Sequence, residues 1–158
     1  MATSDFFLRG ERGNGITGKG REMKDQNCIF CKIANGEIPA NTIYEDDHFR
    51  VILDNGPATK GHALVLPKEH YEDLLSLPEE ETAKAFQLAK KISRLLKDRL
   101  GADGVNVIQN NGAAAGQTVK HFHIHVIPRY QGDGQKILWE PTNPPAETLA
   151  QIRDQICA

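Results

Sequence analysis

The sequence predicts an α+β domain built on an antiparallel sheet, and three observations carry that expectation. Short runs of apolar residues with strand character recur between Thr42 and Asp54, between Gly61 and His70, and again beyond Val105. A single long stretch, from about Pro78 to Leu100, repeats its apolar residues at helical spacing. That helix falls once, between the third and fourth strands, whereas a parallel sheet would call for a helix after nearly every strand.

The elements follow in order. Residues 1–22 carry Gly10, Gly13, Gly15, Gly18 and Gly20 among polar residues, with too few apolar side chains for a core element, and read as a flexible leader. Met23 can serve as a native start, with an expression-derived or alternative-start segment before it. A folded domain is expected over residues 23–140. It opens with "CIFCKIANGEIP", one or two helical turns ended by Gly36 and stopped by Pro39. "TIYED" and "HFRVILD" form two strands around Asp46-Asp47. In the third, "GHALVLPKEH", His62, Leu64 and Leu66 share one face and Ala63 and Val65 the other.

Ser76, three residues before Glu79, suits the start of the long helix, and Gly101 suits its end. Leu88, Ile92 and Leu95 mark its buried stripe. "VNVIQN" is the fourth strand, "NGAAAGQT" a glycine-rich loop, and "HFHIHVIPRY" the fifth strand. Residues 141–158, with Pro141, Pro144 and Pro145 before "AETLAQIRDQI", predict a proline-broken extension and a short helix.

Composition narrows the function classes. The 158 residues include 19 basic and 21 acidic side chains, a formal charge of −2 that offers no basic face for nucleic acid. No apolar run reaches the length of a membrane span, and the chain does not open on a secretory signal. Three cysteines, Cys28, Cys31 and Cys157, do not make a disulfide framework, which points to a reducing, cytoplasmic setting.

The histidines point to chemistry. In an extended strand His121, His123 and His125 line one face while Phe122, Ile124 and Val126 enter the core. A solvated strand face ordinarily uses Thr, Lys, Glu or Ser. Such a row can bind a metal through neutral imidazoles, or supply a nucleophile with neighbours that position a charged substrate. The preceding loop favours the second, because its glycines let the amides of Gly116, Gln117 and Thr118 approach a phosphate.

"HFHIHVI", with "CIFCKIANGEIPANTIYEDD", "VILDNGPATKGHALVLPKEH" and "NNGAAAGQTVKHFHIHVIPRY" in that order, resembles the histidine triad (HIT) superfamily in its Hint-like branch, over roughly Cys28 to Tyr130. The resemblance implies a HIT-like fold with a five-stranded antiparallel sheet, one long helix and a short N-terminal helix, and a homodimer. It implies hydrolysis of purine nucleoside 5′-phosphoramidates, with His123 forming a nucleotidyl-histidine intermediate and no catalytic metal. By the same likeness His125 donates to a phosphate oxygen or the leaving group, Gly116, Gln117 and Thr118 take phosphate oxygens, Asp54 binds the ribose hydroxyls, and Asn110 contacts the 5′ side. Ile29, Phe30 and Ile52 are weaker candidates for the base pocket.

Cys28 and Cys31 form a C-x-x-C that can be a redox pair, two free buried thiols or half of a zinc site. The strand that should precede a thioredoxin-like pair is missing. His62 and His121, each on a predicted strand, are expected to complete a structural zinc site, in line with zinc-bearing members of the resembled branch. His48 and His70 lie in polar contexts and read as solvated; Cys157 reads as an unpaired thiol. Trp139 suits packing on a partner subunit or over the site. Two rival functions stay open: a dinucleoside polyphosphate hydrolase with the same histidine, and a nucleotide-binding scaffold with incidental turnover. A catalytic metal at the histidine row is a third.

Overall fold

The computed structural model describes residues 24–158, so the leader expected over 1–22 and the domain start at Met23 lie outside the described residues. Helix α1 (Ile29–Ala34) comes first, its start capped by the Cys28 sulfur, which accepts from the Cys31 amide at 3.5 Å. Strands β1 (Thr42–Glu45) and β2 (Phe49–Leu53) form a hairpin. Its turn is held by Asp46, whose Oδ1 accepts from the amides of His48 and Phe49. Strand β3 (Ala63–Pro67), the long helix α2 (Glu79–Leu100), β4 (Gly104–Ile108) and β5 (Ile124–Arg129) complete the domain. The five strands form one antiparallel sheet in the order β1-β2-β3-β5-β4. This is the α+β arrangement that the pattern of short strands and one long helix predicts.

Alternation divides the sheet between two layers. Val51, Ala63, Val65, Phe122, Ile124 and Val126 pack on Ala85, Leu88, Ala89, Ile92 and Leu96 of α2. Each large apolar side chain so buried contributes roughly 1.5–3 kcal/mol. The opposite face carries Ile52, Leu64 and Leu66 against Ala34, Phe30 and Ile33 of α1. His62, His121, His123 and His125 alternate with residues of the first layer and stand on this second face, where Phe30 of α1 lies against His121 and His123.

Three local expectations are corrected. Ser76 does not cap α2: its hydroxyl and amide are exchanged with Asp73, and Pro78 occupies the cap position with no side-chain bond. The ladder of β5 begins at Ile124, so His121 and His123 lie in its lead-in, where Phe122 N–H reaches the Tyr71 carbonyl. Of the two places expected for Trp139, the one over the site is not taken within this chain, where the side chain is 85% exposed. Gly101 does close α2 in the left-handed conformation, at φ +66°. After the prolines, α3 (Ala146–Ile156) has no buried residue. Among the described residues no helix is long and apolar enough to cross a membrane.

Candidate active site and metal centre

The antiparallel pairing of β3 with β5 decides which histidines meet. Ala63 faces Val126 and Val65 faces Ile124. The start of β3 therefore lies beside His125 and Val126, and its end lies beside His121. His62 stands at the first end; the chain leading to His70 leaves from the second. At about 3.3 Å per residue, the two ends of β3 are more than 10 Å apart.

Cys28, Cys31, His121 and His70 accordingly gather at the Pro67 end, their four donor atoms all within 4.8 Å of one another. Cys31 Sγ is 3.3 Å from His70 Nδ1 and 3.5 Å from His121 Nδ1, and Cys28 Sγ is 3.5 Å from His121 Nδ1. A tetrahedral zinc with its usual bond lengths needs sulfur-to-nitrogen separations of about 3.6 Å. The set fits that geometry. His121 Nε2 faces the Pro67 carbonyl at 3.0 Å and must carry the proton, which leaves Nδ1 as a lone pair turned to the sulfurs. Burial pushes the Cys31 thiol up to about 11, so a cation is what would bring the thiolate into the neutral range. Asn35 fastens this corner, donating to both the Cys31 and Lys68 carbonyls.

The expectation that His62 completes the cysteine set is thus overturned, and so is the solvated reading of His70. His62 is at the wrong end of β3. Antiparallel pairing of the third and fifth strands was the signal that could have found His70, since it joins the end of one to the start of the other. His48 remains half exposed, with Nδ1 3.2 Å from a Glu81 carboxylate.

His62 instead meets His125, Nε2 to Nδ1 at 2.9 Å, with Asp54 Oδ2 3.7 Å from the same His62 nitrogen. The ring of His125 is 4.9 Å from that of His123, centroid to centroid. His123 Nδ1 lies 2.6 Å from the His121 carbonyl, which can only accept, so Nδ1 carries the proton and Nε2 holds the lone pair. Among the described residues no fully buried side-chain nitrogen or oxygen lacks a partner. His123 is only 4% exposed, and its unpartnered Nε2 is therefore an atom that solvent reaches. Phe30 stands edge-on to His123, ring centroids 5.1 Å apart. Ile52 is buried beneath, and Ile29 is half exposed.

Burial holds His123 below the ordinary imidazole value, against the pull of the His121 carbonyl and the Asp54 carboxylate. Burial first, then the neighbouring His123 and His62, push His125 down to about 4. Both rings are neutral near pH 7. A neutral ring with a free Nε2 has the form that a nucleophile needs.

The loop before the histidines differs from its expected role. The Gly116 amide donates to the Ala113 carbonyl and the Gln117 amide to the Gly112 carbonyl, so neither is free for an anion. The Gln117 side chain is also committed, accepting from the Gly112 amide and donating to the Glu72 and Val119 carbonyls. Thr118 differs: among the described residues its amide and hydroxyl have no partner. Of the three residues expected to meet the phosphate, the loop's internal bonds leave Thr118 free. Asn110 lies beside Gly116, and Asp54 Oδ1 accepts from the Gly56 amide at 2.8 Å.

An uncharacterized HIT-like protein of Methanocaldococcus jannaschii is 52% identical over 110 residues, covering 70% of this chain and 84% of that protein. The adenylylsulfatase HINT3 of Arabidopsis thaliana is 43% identical over 135 residues, covering 83% of this chain and 68% of that protein. A zinc-bound histidine triad family protein of Mycobacterium smegmatis superposes with a TM-score of 0.67 at 41% identity, covering 82% of this chain and 97% of that one. The HIT domain profile matches residues 35–132, and with these likenesses in fold and sequence the chain belongs to the HIT domain family.

Proposed function

We propose that the protein is a nucleotide hydrolase that cleaves purine nucleoside 5′-phosphoramidates through a covalent intermediate on His123. The observation that carries this reading is the ring of His123, neutral, with Nδ1–H held by the His121 carbonyl at 2.6 Å and Nε2 free. Nε2 attacks the α-phosphorus, the nitrogen–phosphorus bond to His123 forms, and the bond to the leaving amine breaks. The amine departs with a proton supplied from the solvated site. Water then attacks the same phosphorus and returns His123 with release of the nucleoside monophosphate. Two displacements replace one difficult one.

Thr118 offers its free amide and hydroxyl to phosphate oxygens, and Asp54, on the same side of the sheet, is the residue for the ribose hydroxyls. Phe30 serves as apolar surface for the base. Among the described residues the domain takes in 24–140, with 141–158 as an appendage. Cys28, Cys31, His70 and His121 would hold a zinc ion, which would tie α1 to the sheet and fix the His121 ring. The His121 carbonyl then keeps His123 in its attacking tautomer.

A second reading has specific support, the 43% identity to an adenylylsulfatase. Sulfate leaves without needing a proton, whereas an amine leaves only once it is protonated. Comparing kcat/KM for an adenosine phosphoramidate, adenylyl sulfate and a diadenosine polyphosphate separates the readings. The proposal expects the phosphoramidate to lead by at least about tenfold, or about 1.4 kcal/mol of transition-state stabilisation. A lead for adenylyl sulfate would move the substrate class while leaving His123 as nucleophile.

A further inference from the structure

His62 is 6% exposed and lies outside the triad, and its surroundings are more specific than those of a packing residue. Its Nδ1 accepts from the Ala58 amide at 3.0 Å. A backbone amide can only donate, so Nδ1 of His62 has no proton and the neutral ring carries it on Nε2. That Nε2 is 2.9 Å from His125 Nδ1. His62 therefore donates, His125 Nδ1 accepts, and the proton of neutral His125 is confined to Nε2. The other tautomer of His125 would set two N–H groups against each other across the same gap. Flipping His62 to relieve this would set its Nδ1–H against the Ala58 amide.

We propose that His62 is a positioning residue that fixes His125 as an Nε2–H donor, transmitting the direction of the Ala58 amide through two rings to the reaction site. The backbone around His62 is built to hold it. The Asp54 amide donates to the His62 carbonyl at 2.9 Å, and the His62 amide donates to the Thr59 carbonyl at 3.1 Å. The Thr59 hydroxyl is tied to the Pro128 carbonyl of β5, the strand that carries His125. Gly61 makes the approach at φ +89°, a conformation that L side chains rarely adopt, and an added Cβ there would have to displace the end of the Leu100 side chain.

Asp54, His62 and His125 also have the composition of a metal site. The Ala58 amide argues for the hydrogen bond instead. A histidine that binds metal through one nitrogen ordinarily donates from the other, whereas here the other nitrogen accepts, and a metal on Nε2 would demand an imidazolate. The result is a complementary pair: His123 presents a lone pair to phosphorus, and His125 presents an N–H to the oxygens or leaving group around it. A second lone pair there would face phosphate oxygens unfavourably. This role for His62 rests on the reading of His123 as nucleophile, but its geometry can be tested without turnover.

The test is long-range proton–nitrogen NMR on the full chain, zinc-loaded and labelled at the histidine ring nitrogens, near neutral pH. The expected spectrum has His62 and His125 both unprotonated at Nδ1 and protonated at Nε2. His62→Leu removes the donor and should spread His125 over both tautomers; it should lower kcat for the phosphoramidate on the order of 10²-fold with KM little changed. His62→Gln returns an N–H donor and should recover most of the loss. A wild-type His125 protonated at Nδ1 would overturn the proposal, and so would equal losses in the two variants with the tautomer unmoved. If His62→Leu does not fold, the wild-type spectrum and His62→Gln decide. Absence of phosphoramidate turnover in the wild type would instead count against the substrate reading, while the tautomers would still be read.

Discussion

The carbonyl of His121 accepts from His123 Nδ1 at 2.6 Å, while the ring of His121 turns its own Nδ1 to the sulfurs of Cys28 and Cys31. One residue therefore joins the candidate metal ligands, through its side chain, to the proposed nucleophile, through its backbone. Chelating the metal should reduce turnover without touching the reacting atoms. Restoring zinc should restore turnover in proportion to the metal bound, as followed by parallel metal analysis and activity assay.

His123→Ala should abolish phosphoramidate turnover, by about 10⁴-fold or more as expected for loss of a covalent nucleophile, while zinc content stays at the wild-type level. Elemental analysis with a turnover assay checks both. Loss of zinc in this variant would mean that His123 supports the metal centre.

His70→Ala and His62→Ala should differ in metal retention. His70→Ala should weaken zinc binding against a competing chelator by more than the ~10–100-fold typical of outer-sphere losses, and the thermal transition should fall with it. His62→Ala should keep its zinc. The reverse pattern would restore the sequence-derived assignment.

Gly61→Ala asks a side chain to adopt φ +89° against Leu100. The cost should be roughly 1–3 kcal/mol, seen as a lower midpoint in denaturant. The same substitution at Gly132, where φ is +81° and the space is open, should cost less.

Acid should destabilise the site through His125. Its folded value, near 4, lies below the ordinary 6.5, because of burial and the neighbouring His123 and His62, with the Asp54 carboxylate opposing. The unfolded chain therefore takes up the proton first, so the contribution of His125 is full above pH ~6.5 and is lost as pH falls toward about 4. Thermal melts between pH 7 and 5 should show a smaller decline in His125→Gln than in wild type. An equal decline would assign the acid sensitivity to the metal ligands.

The α+β class was legible because local patterns set it: alternation in "HALVL" placed Leu64 and Leu66 on one face and Val65 on the other, as the two core layers show. What the sequence hid was pairing. The polar context of His70 hid a residue that β3–β5 register brings to the cysteines, and the same register takes His62 away from them. The loop was misjudged for a related reason. Glycines signal that a backbone can turn, but the bonds closed by Gly112, Ala113 and Gln117 decide which amides remain free. Composition records neither register nor closure.

The central claim is that phosphorus is transferred to His123. Mixing the zinc-loaded protein with an adenosine phosphoramidate, quenching under conditions that preserve nitrogen–phosphorus bonds, and mapping the adduct by mass spectrometry tests it directly. The account predicts one adenylyl group per modified chain, on His123. Steady turnover with the adduct on another residue, or with single-turnover kinetics that leave no room for any adduct, would contradict it.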